Sequence, residues 1–422
     1  MYGRRIIDSE LDELLPSLPA IAIDGPKAVG KTTTAMQRAT SVLNLDLEHI
    51  ESLVKAAPHS ILNRARPLLI DEWQRVPEVW DVVRRAVDQD YSGGQFLLTG
   101  SATPPEGATA HSGAGRIARL RMRPLAVCER GLTESTVSFA TLLSGTRPDL
   151  SGECSLTLSD YAREIALSGF PGIRSLSGRA HRIQLDSYLR EVVDRDVLDS
   201  APAVRKPEAL LNWLRAYAAA SSTATSYSQI LDAATPGDSD KPARSTVDGY
   251  RALLSAMWLL DPVPAWQPTG NWLSRLGKSP KHQLADPALA VRLLDLSSDD
   301  LLDGRGDLIG SQHQTMLGAL FESLVTLSVR VIAQAAEASV YHLRTRNGDH
   351  EIDLIVRGPG GKLLAIEVKL SAAISDSDVK HLNWLQSQVG ERLADAIVIN
   401  TGPAAYRRKD GVGVVPLALL GP

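Results

Sequence analysis

The stretch AIAIDGPKAVGKTTTA, at residues 20–35, constrains this chain more than any other. An apolar run at 20–23 reads as a strand. It enters a loop, Gly25-Pro26-Lys27-Ala28-Val29-Gly30-Lys31-Thr32, that fits GxxxxGK[ST], and Thr33 continues into a helical run. Strand, glycine-rich loop and helix in that order make a phosphate cradle. The glycines let backbone N–H groups turn inward, and the helix N-terminus favours negative charge. On this pattern Lys31 reaches the β- and γ-phosphates of a nucleotide, and the Thr32 hydroxyl binds Mg²⁺. The order calls for an α/β fold at this end of the chain.

Two later runs fit the same plan. RPLLIDEWQ, at 66–74, is an apolar strand ending in Asp71 and Glu72. Asp71 would hold Mg²⁺, directly or through water, and Glu72 would orient and deprotonate the attacking water. GQFLLTGSA, at 94–102, ends in Thr99, Gly100 and Ser101. Thr99 either contacts the γ-phosphate or lytic water from its strand tip, or is a plain turn residue. Hydrolysis is therefore expected rather than static binding. Nothing marks an acceptor-binding lid, which disfavours a small-molecule phosphotransferase. No NKxD-type guanine reader follows, so the nucleotide is expected to be ATP.

At 422 residues the chain has room for two or three domains. With 44% hydrophobic and 22% charged residues it has the composition of an ordinary globular protein. The formal net charge of -4 argues against an overall basic coat and leaves local basic patches open. Cys128 and Cys154 are the only cysteines, so neither a disulfide framework nor a cysteine zinc site is expected. The amino end lacks the apolar core of a signal peptide, and no apolar run approaches membrane-spanning length. A cytoplasmic chain without membrane contact is expected. Turn formers cluster at 144–155, 235–243 and 303–310. They suggest a division into a 1–145 nucleotide domain, a 146–310 helical connector and a 311–422 mixed tail.

The segments RRIIDSELDELL, IAIDGPKAVGKTT, LLIDEWQRVPEVWDVVRRAVD, GGQFLLTGS and GAGRIARLRMRPLAVCE, in that order, resemble a broad prokaryotic family of AAA+-type P-loop ATPases. The resemblance implies a homo-oligomer assembled through the ATPase domain, with nucleotide near the subunit boundary. A Gly-Arg pair that follows the sensor strand in that family falls on Gly115 and Arg116. An arginine there completes a neighbour's site by stabilising transition-state charge. Arg116 is the first candidate and Arg119 the second; a surface or structural role stays open for both. Lys27 stands where the family often has arginine.

YAREIALSGFPGIR and YLREVVDRDVLD also resemble that family's helical segment. Beyond them Ser226 can cap a helix at 228–234 and Ser245 a second one, with a strand-like WLLDPVPAW after it. This has the form of a winged helix-turn-helix, in which Arg244 and Arg251 would meet phosphates or a groove. A protein–protein role for such a module is the alternative.

In the tail, 311–335 is apolar nearly all round, so it reads as a buried helix, and Glu322 inside it needs a partner. EIDLIVRGPGGKLLAIEVKL, at 351–370, reads as a hairpin. One permitted register places Asp353 across from Glu367. Like charges so opposed destabilise a sheet. A divalent cation held by both, with Lys369 beside it, would compensate; acids on the solvated face of an ordinary hairpin are the alternative. Helix, strands and helix with Glu322, Asp353, Glu367 and Lys369 resemble the PD-(D/E)xK restriction-endonuclease-like domain. The resemblance implies Mg²⁺ or Mn²⁺ on Asp353 and Glu367, Lys369 at the attacking water and Glu322 orienting it. Expected overall is a multidomain α/β ATPase acting on DNA through a nuclease-like domain. The alternative is a non-cleaving ATP-dependent switch whose tail binds DNA or a protein partner.

Overall fold

Every residue of β1 (Ala20–Asp24) is buried, because this strand has a neighbour on each edge and cover on each face. The computed structural model describes residues 2–100, 113–193, 207–235, 242–266, 279–309, 314–345 and 349–422. They form two compact units: Met1–Arg123 with Ala252–Leu259, and Pro124–Arg251 with Leu260–Pro422.

In the first unit β1 is joined by β2 (Ser41–Asn44), β3 (Leu68–Asp71), β4 (Phe96–Thr99) and β5 (Ala118–Arg121). All pair in parallel, in the order β2-β3-β4-β1-β5. Parallel neighbours need crossover connections, and the Lys31–Met36, Glu48–Ala56 and Glu78–Gln89 helices lie between successive strands. Trp73 and Trp80, with ring centroids 4.5 Å apart, pack with Val83 and Val87 in the same core as Ile70, Phe96 and Leu98. Because β4 lies between β1 and β3, Thr99 sits level with Ile23 on one side and Asp71 on the other. The tips of the three motif-bearing strands are thus adjacent.

In the second unit the strands are β6 (Val137–Ser138), β7 (Ser339–Arg344), β8 (Glu351–Arg357), β9 (Leu363–Val368), β10 (Leu393–Asn400), β11 (Tyr406–Arg407), β12 (Gly413–Pro416) and β13 (Leu420–Gly421). Six of them make one mixed sheet, β11-β12-β10-β9-β8-β7. The Asp376–Val389 helix makes the crossover between parallel β9 and β10. Both of those strands are buried along their whole length, as strands covered on both faces must be.

The compact units divide the chain differently from the expected 1–145, 146–310 and 311–422. Met1–Arg123 with Ala252–Leu259 form one, and Pro124–Arg251 shares the other with Leu260–Pro422. The reason is long-range pairing: β6 pairs with β13, and Glu153 bridges Ala404. Arg147, inside the supposed linker, donates to the Ala394 carbonyl at 3.2 Å. This turn-rich stretch packs on the C-terminal sheet.

In the middle region Ser226 caps the Tyr227–Ala234 helix as expected, with Gln229 completing a capping box. The next helix, Arg244–Ala256, starts before Ser245, so Ser245 lies in its first turn and does not cap it. Leu260 bridges Leu284 and Val263 bridges Lys281, both antiparallel, giving a short ribbon. Its far end meets the edge strand β7, where Ala265 bridges His342. Covering an edge in this way blocks its unpaired backbone from other chains.

The Met316–Ala335 helix is 20 residues long and by length and composition could cross a membrane, which corrects the expectation that no run approaches that length. Of that window 83% is buried inside the protein, so its apolar girth is spent on the core.

Candidate functional site

The loop after β1 is shaped by glycine where nothing else fits. Gly25 has φ +152°, and a Cβ there would lie 2.1 Å from the Met122 carbonyl oxygen. Gly30, at φ +100°, turns the chain into the Lys31–Met36 helix from a left-handed conformation. Val29 is buried and anchors the loop, while Lys27, Ala28 and Thr33 are exposed. Lys31 folds back, its Nζ donating to the Gly25 and Pro26 carbonyls at 2.7 Å each. Burial pulls its ammonium down to about 8, against the opposing pull of Glu72, Asp71 and Asp24.

Thr32, in the first turn of the Lys31–Met36 helix, and Thr99, at the tip of β4, converge on one oxygen of Asp71 at the tip of β3. Thr32 Oγ1 donates to Asp71 Oδ1 at 2.9 Å, and the Thr99 hydroxyl donates to the same atom. Glu72, in a left-handed turn at φ +52°, accepts from the Gln74 side-chain amide. A Thr hydroxyl beside a carboxylate, a glycine cradle that a Cβ would fill and a cation over the loop fit a Mg²⁺–nucleotide. Ser101 lies outside the described residues.

Asp24 was missed by the sequence reading. It sits buried at the tip of β1, pushed up by burial and held back by Arg119, whose Nε is 2.9 Å away. Arg116 pairs with Asp88 at 2.5 Å. Both candidate arginines thus have carboxylate partners within their own unit. Of the two groove candidates, Arg244 is exposed; Arg251 lies 3.5 Å from the Tyr227 ring centroid and pairs with Asp248 at 3.0 Å.

The second cluster lies in a cleft of about 560 Å³ in the C-terminal sheet. The β8–β9 register, with Leu354 opposite Ile366, carries Asp353 to Glu367 in one further step. Glu322 reaches the same cleft from its buried helix. The solvated-face alternative does not hold, since the Asp353 and Glu367 side chains are only 13% and 9% exposed. Lys369 Nζ donates to Glu367 Oε1 at 2.8 Å.

A residue no motif indicated stands among them. Lys281 Nζ lies 2.8 Å from Glu322 Oε1, 2.8 Å from Asp353 Oδ1 and 3.3 Å from Glu351 Oε1. Asp353 Oδ2 accepts from the Val368 N–H at 2.9 Å. Burial, reinforced by the Asp353 carboxylate, pushes Glu322 up to about 7 and Glu367 up to about 8. Asp353 itself is held low; burial opposes this, and the ammoniums of Lys281 and Lys369 overcome it. Glu367 Oε2 is buried and has no hydrogen-bond partner. Among the described residues no three acid, histidine or cysteine side chains are arranged to hold an ion. A divalent ion would need carboxylate oxygens that the Lys281 ammonium already holds, Glu322 Oε1 and Asp353 Oδ1. With Lys281 in place the cluster does not fit one.

The sheet order and the cradle define a P-loop ATPase domain of the AAA type at the N-terminus. Comparison with known proteins agrees: residues 17–130 match an AAA domain. Residues 317–420 match a domain of unknown function, DUF4143, and residues 158–300 a second one, DUF8612. The chain is similar to the uncharacterized proteins Mb2031c of Mycobacterium bovis and Rv2008c of Mycobacterium tuberculosis. Each is 26% identical over 421 residues, covering 99% of this chain and 84% of the relative. An AAA-type domain at 17–130 and a DUF4143 domain at 317–420 thus flank the middle of the chain, and ATPase-type activity goes with the first.

Proposed function

We propose that this chain binds and hydrolyses ATP as a cytoplasmic homo-oligomeric switch whose C-terminal domain binds DNA or a protein partner without cutting it. The observation that carries the reading is the convergence of Thr32 and Thr99 on Asp71 beside Lys31. Bound Mg²⁺ would supply charge neutralisation at the phosphates, held by Thr32 and Asp71. Lys31 binds the phosphates, Glu72 takes the proton of the attacking water, and Thr99 orients Asp71 or the water. Arg116 or Arg119 would act on a neighbour's nucleotide only after leaving Asp88 or Asp24.

The switch reading expects slow turnover that DNA leaves unchanged, and a particle mass that changes when ATP or ADP is added. Light scattering and phosphate release measure both. A mass indifferent to nucleotide, with turnover stimulated by DNA, would favour a DNA-directed motor.

Glu322, Asp353, Glu367 and Lys369 meeting in one cleft favours a second reading, a metal-dependent nuclease. Its test is cleavage of linear, circular, single-stranded and branched DNA in Mg²⁺ or Mn²⁺, with Asp353→Ala as control. Cleavage lost in that variant would establish it. Lys281 weighs against it, because its ammonium takes the oxygens such chemistry needs.

A further inference from the structure

Lys281 enters the C-terminal acid cluster from a backbone that is fixed on both sides. Its N–H and carbonyl exchange hydrogen bonds with Val263 at 3.0 and 2.9 Å. The next residue, His282, is tied by backbone to Thr223 and Ser222 at 2.9 and 2.8 Å. The ribbon in turn grips β7, with the His342 N–H donating to Pro264 at 2.9 Å and the Trp266 N–H to His342 at 2.6 Å. The lysine is therefore not a mobile surface side chain that has swung inward. Its side chain is 3% exposed.

An ammonium has three donors and no acceptor. Here three carboxylates, from Glu322, Asp353 and Glu351, surround it. Burying a charge is costly unless it is paired, and burying several acids together is costly unless a cation joins them. The chain supplies that cation itself. Glu367 Oε2, buried and without a partner on the same cleft, is an oxygen that the single ammonium leaves unused.

We propose that Lys281 is the resident cation of this cluster, standing between Glu322 and Asp353 where a divalent ion would otherwise sit, so that such an ion enters only when Lys281 is withdrawn. Withdrawal frees Glu322 Oε1 and Asp353 Oδ1, which join Glu367 Oε2 as oxygen ligands for Mn²⁺ or Mg²⁺. Metal affinity is then conditional on the ribbon's hold on β7. The inference stands apart from ATP hydrolysis, because its test measures metal alone on the C-terminal cluster.

The experiment titrates Mn²⁺ into the full chain without nucleotide, reading free Mn²⁺ by its paramagnetic resonance. Lys281→Met is compared with wild type, with Asp353→Asn and with the double variant carrying both, each checked for folding by circular dichroism. The proposal expects Lys281→Met to gain one bound Mn²⁺ per chain, and the double variant to lose it. A wild-type chain that already binds an ion removed by Asp353→Asn would overturn the proposal. So would a folded Lys281→Met that binds no more than wild type. Should Lys281→Met not fold, reductive methylation of wild-type lysines followed by peptide mass spectrometry decides. The proposal then requires Lys281 to stay unlabelled without Mn²⁺, and labelling in that condition overturns it.

Discussion

Burial governs the two lysines that matter most, with opposite results. Lys31 is drawn down to about 8 because its neighbours only partly offset the loss of water. Lys281, facing three carboxylates, is held well above its usual value even though burial alone would lower it. For Lys31 the unfolded chain holds more protons between pH 8 and the ordinary 10.5, so this group's contribution to stability rises with pH across that window. Nucleotide phosphates would draw the proton back. Calorimetry in buffers of different ionisation enthalpy should therefore find proton uptake on ATP binding above about pH 8, with affinity falling as pH rises further. Lys31→Ala should bind ATP weakly at every pH. Glu367 has the opposite sign. Its folded value is raised from 4.5 to about 8, so the stability it brings is complete below the lower figure and is lost as pH rises through the upper one. The thermal midpoint of the wild type should drop over that range, and Glu367→Gln should flatten the drop.

At the scale of elements, buried ion pairs do the joining in the second unit. Glu164, in the Leu158–Ala166 helix, accepts from Arg130 at 2.9 Å and from both terminal nitrogens of Arg174 at 2.7 and 2.9 Å. The Arg130 guanidinium has no exposed surface. Removing one member of a buried set strands the others, so Glu164→Gln should cost about 3–5 kcal/mol in denaturant unfolding. A loss near zero would mean that water reaches Arg130. Contiguity explains what could be read from the sequence. The β1 strand, its loop and the helix after it are neighbours along the chain, so their order was legible. The β8–β9 register was legible because a short turn and matched apolar faces allow few alternatives. The β6–β13 pairing was not, since it joins Val137 to Leu420 across nearly the whole second unit. Nor was Lys281, a lysine whose acids lie at 322, 351 and 353 and which belongs to no motif. The groove reading of Arg251 rests on the winged-helix form of its segment, and the Tyr227 ring beneath its guanidinium was not legible in the sequence.

At the scale of the molecule, an AAA-type domain is joined in one chain to a sheet domain whose acids are closed by an internal lysine. On the proposed reading hydrolysis belongs to the first unit, with Glu72 as the base beside the nucleotide. The most direct measurement is ATP binding and phosphate release by wild type and Glu72→Gln in parallel. The account predicts that Glu72→Gln keeps ATP affinity while turnover falls by about 10²–10⁴, the usual contribution of a positioned base. Turnover at the wild-type rate in Glu72→Gln, or a wild-type chain that binds no ATP, would contradict it.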